Sequence, residues 1–379
     1  MYAACGSRRS GADRGVSEVL TAGSPTSSPG LADAVVGIDV GGTKILAVAL
    51  GNAAALGNAA ALGKDSTARN DSTNGSNVEV LAVAECPTPV GKGAEALAAA
   101  IADVTSEASA TAGFRPRKLG VGLPGLVDSH GVFRYGPHLP GLLGVDLAAL
   151  LAQRLPVTVS VDNDGTCAAL AEWHLGAGRH VQDVVFVGLG TGISCGLVAN
   201  GRLLRGGSGF AGEPGHTTVL PAGPLCACGR RGCWETLASG NALGRLAREA
   251  VERGEAPSLA AAAEHDVRGI RGESVILALR AGNEEASAVV EVFASWVALG
   301  IANIVALVDP ALVIVGGGLV DAGELLLAPI RAAVRDAVFR PVERGGPPVV
   351  AALLGRRAGA IGAALLTTEV PEMPFTQRK

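Results

Sequence analysis

Ala34-Val-Val-Gly-Ile-Asp-Val-Gly-Gly-Thr-Lys-Ile-Leu-Ala-Val-Ala-Leu50 is an apolar run, a glycine-rich break and a second apolar run. Two such runs joined by a tight turn read as a β-hairpin. The turn residues Gly41, Gly42, Thr43 and Lys44 offer backbone N–H groups, a hydroxyl and an ammonium, which together can hold a phosphate. Asp39, at the end of the first strand, can face a metal ion. An ordinary hairpin would use the same glycines, so the segment alone is ambiguous. The pattern returns at Val184-Val-Phe-Val-Gly-Leu-Gly-Thr-Gly-Ile-Ser-Cys-Gly-Leu-Val-Ala199: strand, Gly/Thr turn (Gly190, Thr191, Gly192) and strand, then an Asn200-Gly201 turn and a third strand. The chain therefore reads as internally duplicated. Each half opens with a Gly-Thr hairpin and continues with alternating helices and strands, and two such halves can close on one nucleotide with a phosphate-binding turn from each side.

Beyond the first hairpin, residues 51–77 carry a tandem Gly-Asn-Ala-Ala-Ala-Leu repeat and a polar stretch. Two copies are too few for a solenoid, so the segment reads as an inserted loop. A strand over Val78–Cys86, a helix over Gly93–Ala112, a strand over Lys118–Leu123, a helix near Val145–Arg154 and a strand over Val157–Val161 follow. That last strand delivers Asp162-Asn163-Asp164-Gly165 at its carboxyl end, where open α/β sheets place their ligand sites. Asn163 and Asp164 are therefore candidates for function, while the alternative is that Asp164 caps the helix running on to Leu175. Beyond the second hairpin the chain is helical and Ala-rich from Asn241 to Val308. A strand over Ala311–Val315 then ends in Gly316, Gly317 and Gly318, a run that allows close approach of a flat or phosphorylated ligand. A helix over Gly323–Val338, a strand over Pro348–Leu354 and a last helix from Ala358 complete the pattern.

The densest chemistry lies at Gly212-Glu-Pro-Gly-His216 and Cys226-Ala-Cys-Gly-Arg-Arg-Gly-Cys-Trp-Glu235. His216, Cys226, Cys228 and Cys233 make a Cys3His set, which fills a tetrahedral Zn²⁺ shell and leaves no open position, so the expected metal is structural. Gly229 and Gly232 supply the positive-φ turns that let these thiolates converge. Glu213 and Glu235 flank the knot, and two carboxylates beside a fixed imidazole suit a ligand rich in hydroxyls.

The chain of 379 residues has length for two domains. A net charge of −4 gives no general attraction to nucleic acid or to an anionic membrane. Of seven cysteines, three cluster at metal-ligand spacing and Cys5, Cys86, Cys167 and Cys195 are scattered, which points to a reducing, cytoplasmic setting. Residues 1–33 are rich in Ser and Gly with no apolar signal core, and read as a disordered tail. The apolar run Val292–Val308 contains Ser295, Gly300 and Asn303 and reads as a buried helix rather than a membrane span.

Taken together, these motifs resemble the ROK family of sugar kinases and sugar-responsive repressors, over about Val35 to Thr367. The resemblance implies an α/β, duplicated two-domain fold of the actin-like ATPase (ribonuclease H-like) class with a cleft between the domains. It divides the chain into a small domain at 34–175, with the insertion 51–77 and the last helix, 358–370, packed back on it. A large domain at 176–357 carries the zinc loop 212–235, and a tail occupies 371–379. It implies that Asp39 to Lys44 and Gly188 to Gly192 bind the phosphates of ATP and that Gly316 to Gly318 lie at the adenosine. Asp164 would be the general base, and Asn163, Glu213, His216 and Glu235 would contact the sugar, His216 with one ring nitrogen on zinc. The implied reaction is transfer from Mg²⁺-bound ATP, or from polyphosphate, to O6 of glucose, as in the glucokinase branch of high-GC bacteria. N-acetylmannosamine, N-acetylglucosamine and fructose are alternative acceptors, and a homodimer is expected. The repressor alternative needs a helix-turn-helix domain, and the residues before Val35 are too few and too polar for one. Departures from the family pattern are Gly165-Thr166 after the Asn-Asp pair, Ser194-Cys195 after the second turn, and His138 where many members have Asn.

Overall fold

The computed structural model describes residues 34–51, 78–263, 266–340 and 345–367. The expected tails and nearly all of the 51–77 insertion lie outside the described residues. The order of elements is β1 (Val35–Val40), β2 (Lys44–Gly51), β3 (Glu79–Pro87), α1 (Gly93–Ala112), β4 (Lys118–Leu123), β5 (Leu126–Val127), β6 (Phe133–Tyr135), α2 (Leu147–Ala152), β7 (Thr158–Asn163) and α3 (Asp164–Leu175). The second half runs β8 (Val184–Leu189), β9 (Ile193–Ala199), β10 (Arg202–Leu203), α4 (Glu235–Ala238), α5 (Gly240–Glu252), α6 (Pro257–Ala262), α7 (Gly272–Arg280), α8 (Glu284–Val308), β11 (Leu312–Gly316), α9 (Glu324–Ala337), β12 (Val349–Ala351) and α10 (Ala358–Leu365).

Two five-stranded sheets carry the duplication. The first has the order β3-β2-β1-β4-β7 and the second β10-β9-β8-β11-β12. In both, the opening hairpin is antiparallel and the later strands join parallel to its first strand. Strand for strand the two orders superpose, so the repeat seen in the glycine turns extends through each half. This is the actin-like ATPase arrangement.

Each sheet is covered on both faces, which is why its central strands read as continuous apolar runs rather than alternating ones. Val36, Ile38 and Val40 pack outward on Leu97, Ile101 and Val104 of α1 and Leu147 and Leu151 of α2. On the other sheet Val185, Val187, Val313 and Val315 pack outward on α4 to α9. Between the sheets lies a third core. Val35, Leu46 and Val48 of one sheet and Val184, Phe186 and Ile314 of the other enclose Ala168–Ala171 of α3 and Ala360, Ile361 and Ala364 of α10. The molecule is thus five layers deep, with two crossing helices in the middle.

Those helices approach each other, and α10 approaches β1 and β4, so closely that side chains are excluded at the contacts. A Cβ at Gly362 would lie 1.6 Å from the Cys167 carbonyl oxygen, one at Gly120 1.6 Å from that of Ala363, and one at Gly37 1.9 Å from that of Ala360. The end of α10 is tied to the edge of β4, where Lys118 Nζ donates to the Thr367 carbonyl at 3.0 Å.

Helix α8 is, among the described residues, the one helix long and apolar enough to cross a membrane. Val289, Val290, Phe293, Val297, Ile301 and Val305 are nevertheless core residues of the second half, as the sequence reading expected. Strand β12 is shorter than the expected Pro348–Leu354: it stops at Ala351, because the amides of Leu353 and Leu354 turn to the Glu172 carboxylate instead of a ladder.

Candidate active site between the two halves

The sequence places acidic groups at the ends of strands, and the sheet registers bring them to one edge. Asp39 of β1 is level with Gly122 of β4, and the next residue of β4, Leu123, is level with Asn163 of β7. The chain then turns directly into α3. Asn163, not Asp164, is the helix cap: its Oδ1 accepts from Thr166 N at 3.0 Å, and its Nδ2 donates to the Gly125 carbonyl at 3.0 Å. The capping alternative for Asp164 therefore falls, because a cap must lie one residue before the helix and Asp164 is its first residue. Asp164 Oδ1 accepts only locally, from Gly165 N at 2.8 Å.

Burial, and then the neighbouring charges of Asp39 and Glu213, push the Asp164 carboxyl up to about 8, with the Gly165 amide acting the other way. Glu213 is raised to about 7 by burial and by Glu235, and Asp39 to about 6 by burial, opposed by Lys44. Carboxylates that raise one another share one weakly solvated space.

The zinc-type residues converge as the spacing requires. The donor atoms of His216, Cys226, Cys228 and Cys233 all lie within 4.8 Å of one another. His216 Nδ1 is 3.6 Å from Cys226 Sγ, and Cys228 Sγ is 3.6 Å from Cys233 Sγ. Ligands about 2.0 to 2.3 Å from a tetrahedral Zn²⁺ would stand about 3.5 Å apart or slightly more, so the donor set fits the ion. Gly232, at φ 66°, is obligatory here, since a Cβ on it would lie 1.5 Å from the Leu220 carbonyl oxygen.

A cavity of about 300 Å³ opens beside this knot, lined by Gly125, Leu126, Tyr135 and Pro137 from the first half and Phe210, Glu213, His216, Cys228 and Arg230 from the second. That volume is at the small end for ligand sites. Asn163 and Asp164 are not in this lining; Asn163 is tied to it by its bond to the Gly125 carbonyl. Because Nδ1 of His216 faces the thiol of Cys226, its Nε2 is the nitrogen left for a ligand. Glu235 stands behind the cavity, where its Oε2 accepts from Ile193 N at 3.0 Å and so fastens the second Gly-Thr turn. Gly240 N donates to the Gly190 carbonyl of the same turn at 2.7 Å.

The first turn is fastened by Thr88, whose Oγ1 donates to the Gly41 carbonyl at 2.7 Å. Gly42, Thr43 and Thr191 are exposed at the two turn tips. Lys44 Nζ is paired with Glu85 Oε2 at 2.8 Å, so a phosphate would have to share it. His138 lies against the first turn, with its ring 3.9 Å from where a Cβ of Gly42 would stand. In the third glycine run, Gly316 and Gly317 are required by the chain itself, their missing Cβ atoms facing Phe186 and the Leu189 carbonyl; only Gly318 fronts open space.

The model of one protein family, ROK, matches residues 35–370. The chain belongs to the ROK family. It is 34% identical over 339 residues to a glucokinase of Streptomyces coelicolor, covering 88% of this chain and 97% of that one. It is 35% identical over 285 residues to an N-acetylmannosamine kinase of Citrobacter koseri, covering 74% and 89%. Among solved structures, the ROK family glucokinase from Streptomyces griseus in complex with glucose and AMPPNP is similar at a TM-score of 0.75 and 34% identity, covering 88% of this chain and 99% of that one.

Sequence reading missed several residues that shape this ROK site. Arg205 Nε donates to Asp162 Oδ2 at 2.9 Å and joins the halves beside Asp164. Tyr135 Oη donates to the Ala227 carbonyl at 3.3 Å, and Ser129 N to the Ser208 carbonyl at 3.1 Å, across the same boundary. One available signal was Asp162, a charge inside an apolar strand end, which needs a cation or donors when buried.

Proposed function

We propose that the protein is an ATP-dependent hexose kinase that phosphorylates glucose at O6. The observation that carries this reading is that the Asp164 carboxyl, at the end of β7, feels the charge of Glu213, which with His216 walls the cavity between the halves. Asp164 accepts the proton of the attacking hydroxyl, and a base whose own proton affinity is near neutral is suited to that task. Asn163, fixed by its cap bond and by Gly125, orients the sugar on one side; Glu213 and His216 Nε2 do so on the other, with Glu235 behind them. Glu235 can meet a hydroxyl only with what its bond to Ile193 leaves free. The exposed tips Gly41–Lys44 and Gly190–Gly192 receive the phosphates, and Gly318 is the residue of the third run with room for the nucleoside.

His216, Cys226, Cys228 and Cys233 would hold Zn²⁺ as a closed, structural site. Asp39 has the hard oxygen chemistry that suits Mg²⁺ arriving with ATP, which neutralises phosphate charge during transfer. The halves 34–175 with 358–367, and 176–357, are the bodies that close to exclude water.

A coupled assay over glucose, fructose, N-acetylglucosamine and N-acetylmannosamine, with ATP and with polyphosphate as donors, tests the proposal. Glucose with ATP is expected to give the highest kcat/KM. A preference for N-acetylmannosamine, the acceptor in the name of one relative, would replace the sugar and keep the reaction; no transfer to any sugar would end the reading.

A further inference from the structure

The chain passes between its halves twice. It leaves α3 at Leu175 and runs through residues 176–183 into β8, and it leaves β12 at Ala351 and runs through residues 352–357 into α10. These two connections are separated in sequence by residues 184–351, yet one side chain reaches both. We infer that Glu172 is a positioning residue: its carboxylate binds the two connections to each other and so fixes the axis on which the halves close over their substrates.

Glu172 is fully buried on α3. Its Oε2 accepts from Ala177 N at 2.9 Å in the first connection and from Leu353 N at 3.1 Å in the second. Its Oε1 accepts from Leu354 N at 2.7 Å. Its own carbonyl oxygen accepts from Gly176 N at 3.1 Å and Gly178 N at 2.9 Å, so the first connection is held from both ends of the residue. A carboxylate is acceptor-only and can take all these amides at once, and such charge-assisted bonds are stronger than neutral ones. An amide in its place would turn an NH2 donor toward backbone N–H groups. The surroundings are built around this group: a Cβ on Gly176 would lie 2.0 Å from Glu172 Oε2.

Placement explains why an anchor is needed here. Helices α3 and α10 form the central layer, and they cross at Gly362, which lies directly against the Cys167 carbonyl. Domain closure proceeds by small sliding of packed helices or by hinges at element ends, and a group that ties the connections together keeps either motion on one path. Glu172 supplies that tie at the last turn of α3, on the connection that leads into α10. The catalytic edge is then free to move while the connections stay together.

The consequence for catalysis rests on the kinase reading, whereas the clamp itself does not, and the test separates them. Amide hydrogen exchange on the unaltered protein reads the clamp: Ala177, Leu353 and Leu354 are expected to exchange slowly with and without glucose and AMPPNP, and fast exchange at all three would overturn the inference. The variants Glu172→Gln and Gly176→Ala read the consequence, the second displacing the carboxylate without removing it. Each is expected to lower kcat about tenfold, the equivalent of one charge-assisted hydrogen bond. Each should also raise the ADP formed per sugar phosphorylated and diminish the compaction that closure on glucose predicts, read by small-angle X-ray scattering. A lowered melting temperature with kcat, coupling ratio and compaction all as in the parent would mean a merely structural group and refute the inference. If the parent protein phosphorylates no sugar, the kinase reading fails and the exchange result alone decides the clamp.

Discussion

Asp164 owes its chemistry to where β7 ends. Being the first residue of α3 rather than its cap, it has one local amide and the charges of Asp39 and Glu213 for company, and its carboxyl rises to about 8. A carboxyl raised in the fold keeps its proton there. The stability it contributes is complete below its unfolded value near 4 and is lost as pH climbs through about 8. Glu213 and Asp39, raised to about 7 and about 6, act in the same direction. Asp164→Asn is therefore expected to lose about 10² to 10⁴ in kcat. The same ligand-free variant at pH 8 should be more stable than the parent by about 1 to 3 kcal/mol, read as a higher melting temperature. Parent kcat/KM should rise with pH from 6 to 8, and a flat profile with a fully active variant would remove Asp164 as the base. The Asn163-Asp164 pair was legible because polar residues at the carboxyl end of an apolar strand are conspicuous. Which of the two caps the helix was not legible, since either side chain can cap and only the helix start decides it.

At the scale of elements, the segment from Gly212 to Gly240 joins three tasks. Its Cys3His donors converge on one point, Glu213 and His216 present it to the cavity, and Glu235 and Gly240 fasten the second Gly-Thr turn. Structural Zn²⁺ in small peptides contributes roughly 10 to 16 kcal/mol, more than enough to decide whether such a segment folds. Removing metal with a chelator, or Cys228→Ser, should therefore weaken AMPPNP binding as well as sugar binding, by about tenfold or more when the Glu235 to Ile193 bond goes with it. Calorimetric titration with each ligand checks this, and loss of sugar affinity alone would show that the turn stands without the segment. The cysteine spacing announced the knot. The link to Ile193 was hidden, because a carboxylate 42 residues from the amide it accepts leaves no local pattern. Glu172 left a fainter trace, one acid in the Ala-rich stretch Cys167–Ala171 and Trp173, whose meaning depends on amides 181 and 182 residues away.

The whole molecule is two similar sheets sharing one middle core. Because α3 packs on the second sheet and α10 on the first, neither half can lose its inner layer without exposing the other's. Calorimetry should show a single unfolding transition, displaced as a unit by glucose, with about 2.7 kcal/mol of added stability at 100 times Kd. Two separate transitions would contradict the shared core. The duplication itself was readable from the two hairpins, since their turn chemistry repeats. The packing of the inner helices on each other and on the first sheet was not, because glycines such as Gly37, Gly120 and Gly362 declare a close approach without naming what approaches. The tie between Lys118 and Thr367 has a practical side. Since β4 runs parallel to β1, residues 34 and 367 both emerge at the edge opposite Asp39 and Asn163. A bead, a surface or a fusion partner joined directly at residue 34 or 367 would therefore face away from the mouth through which sugar enters.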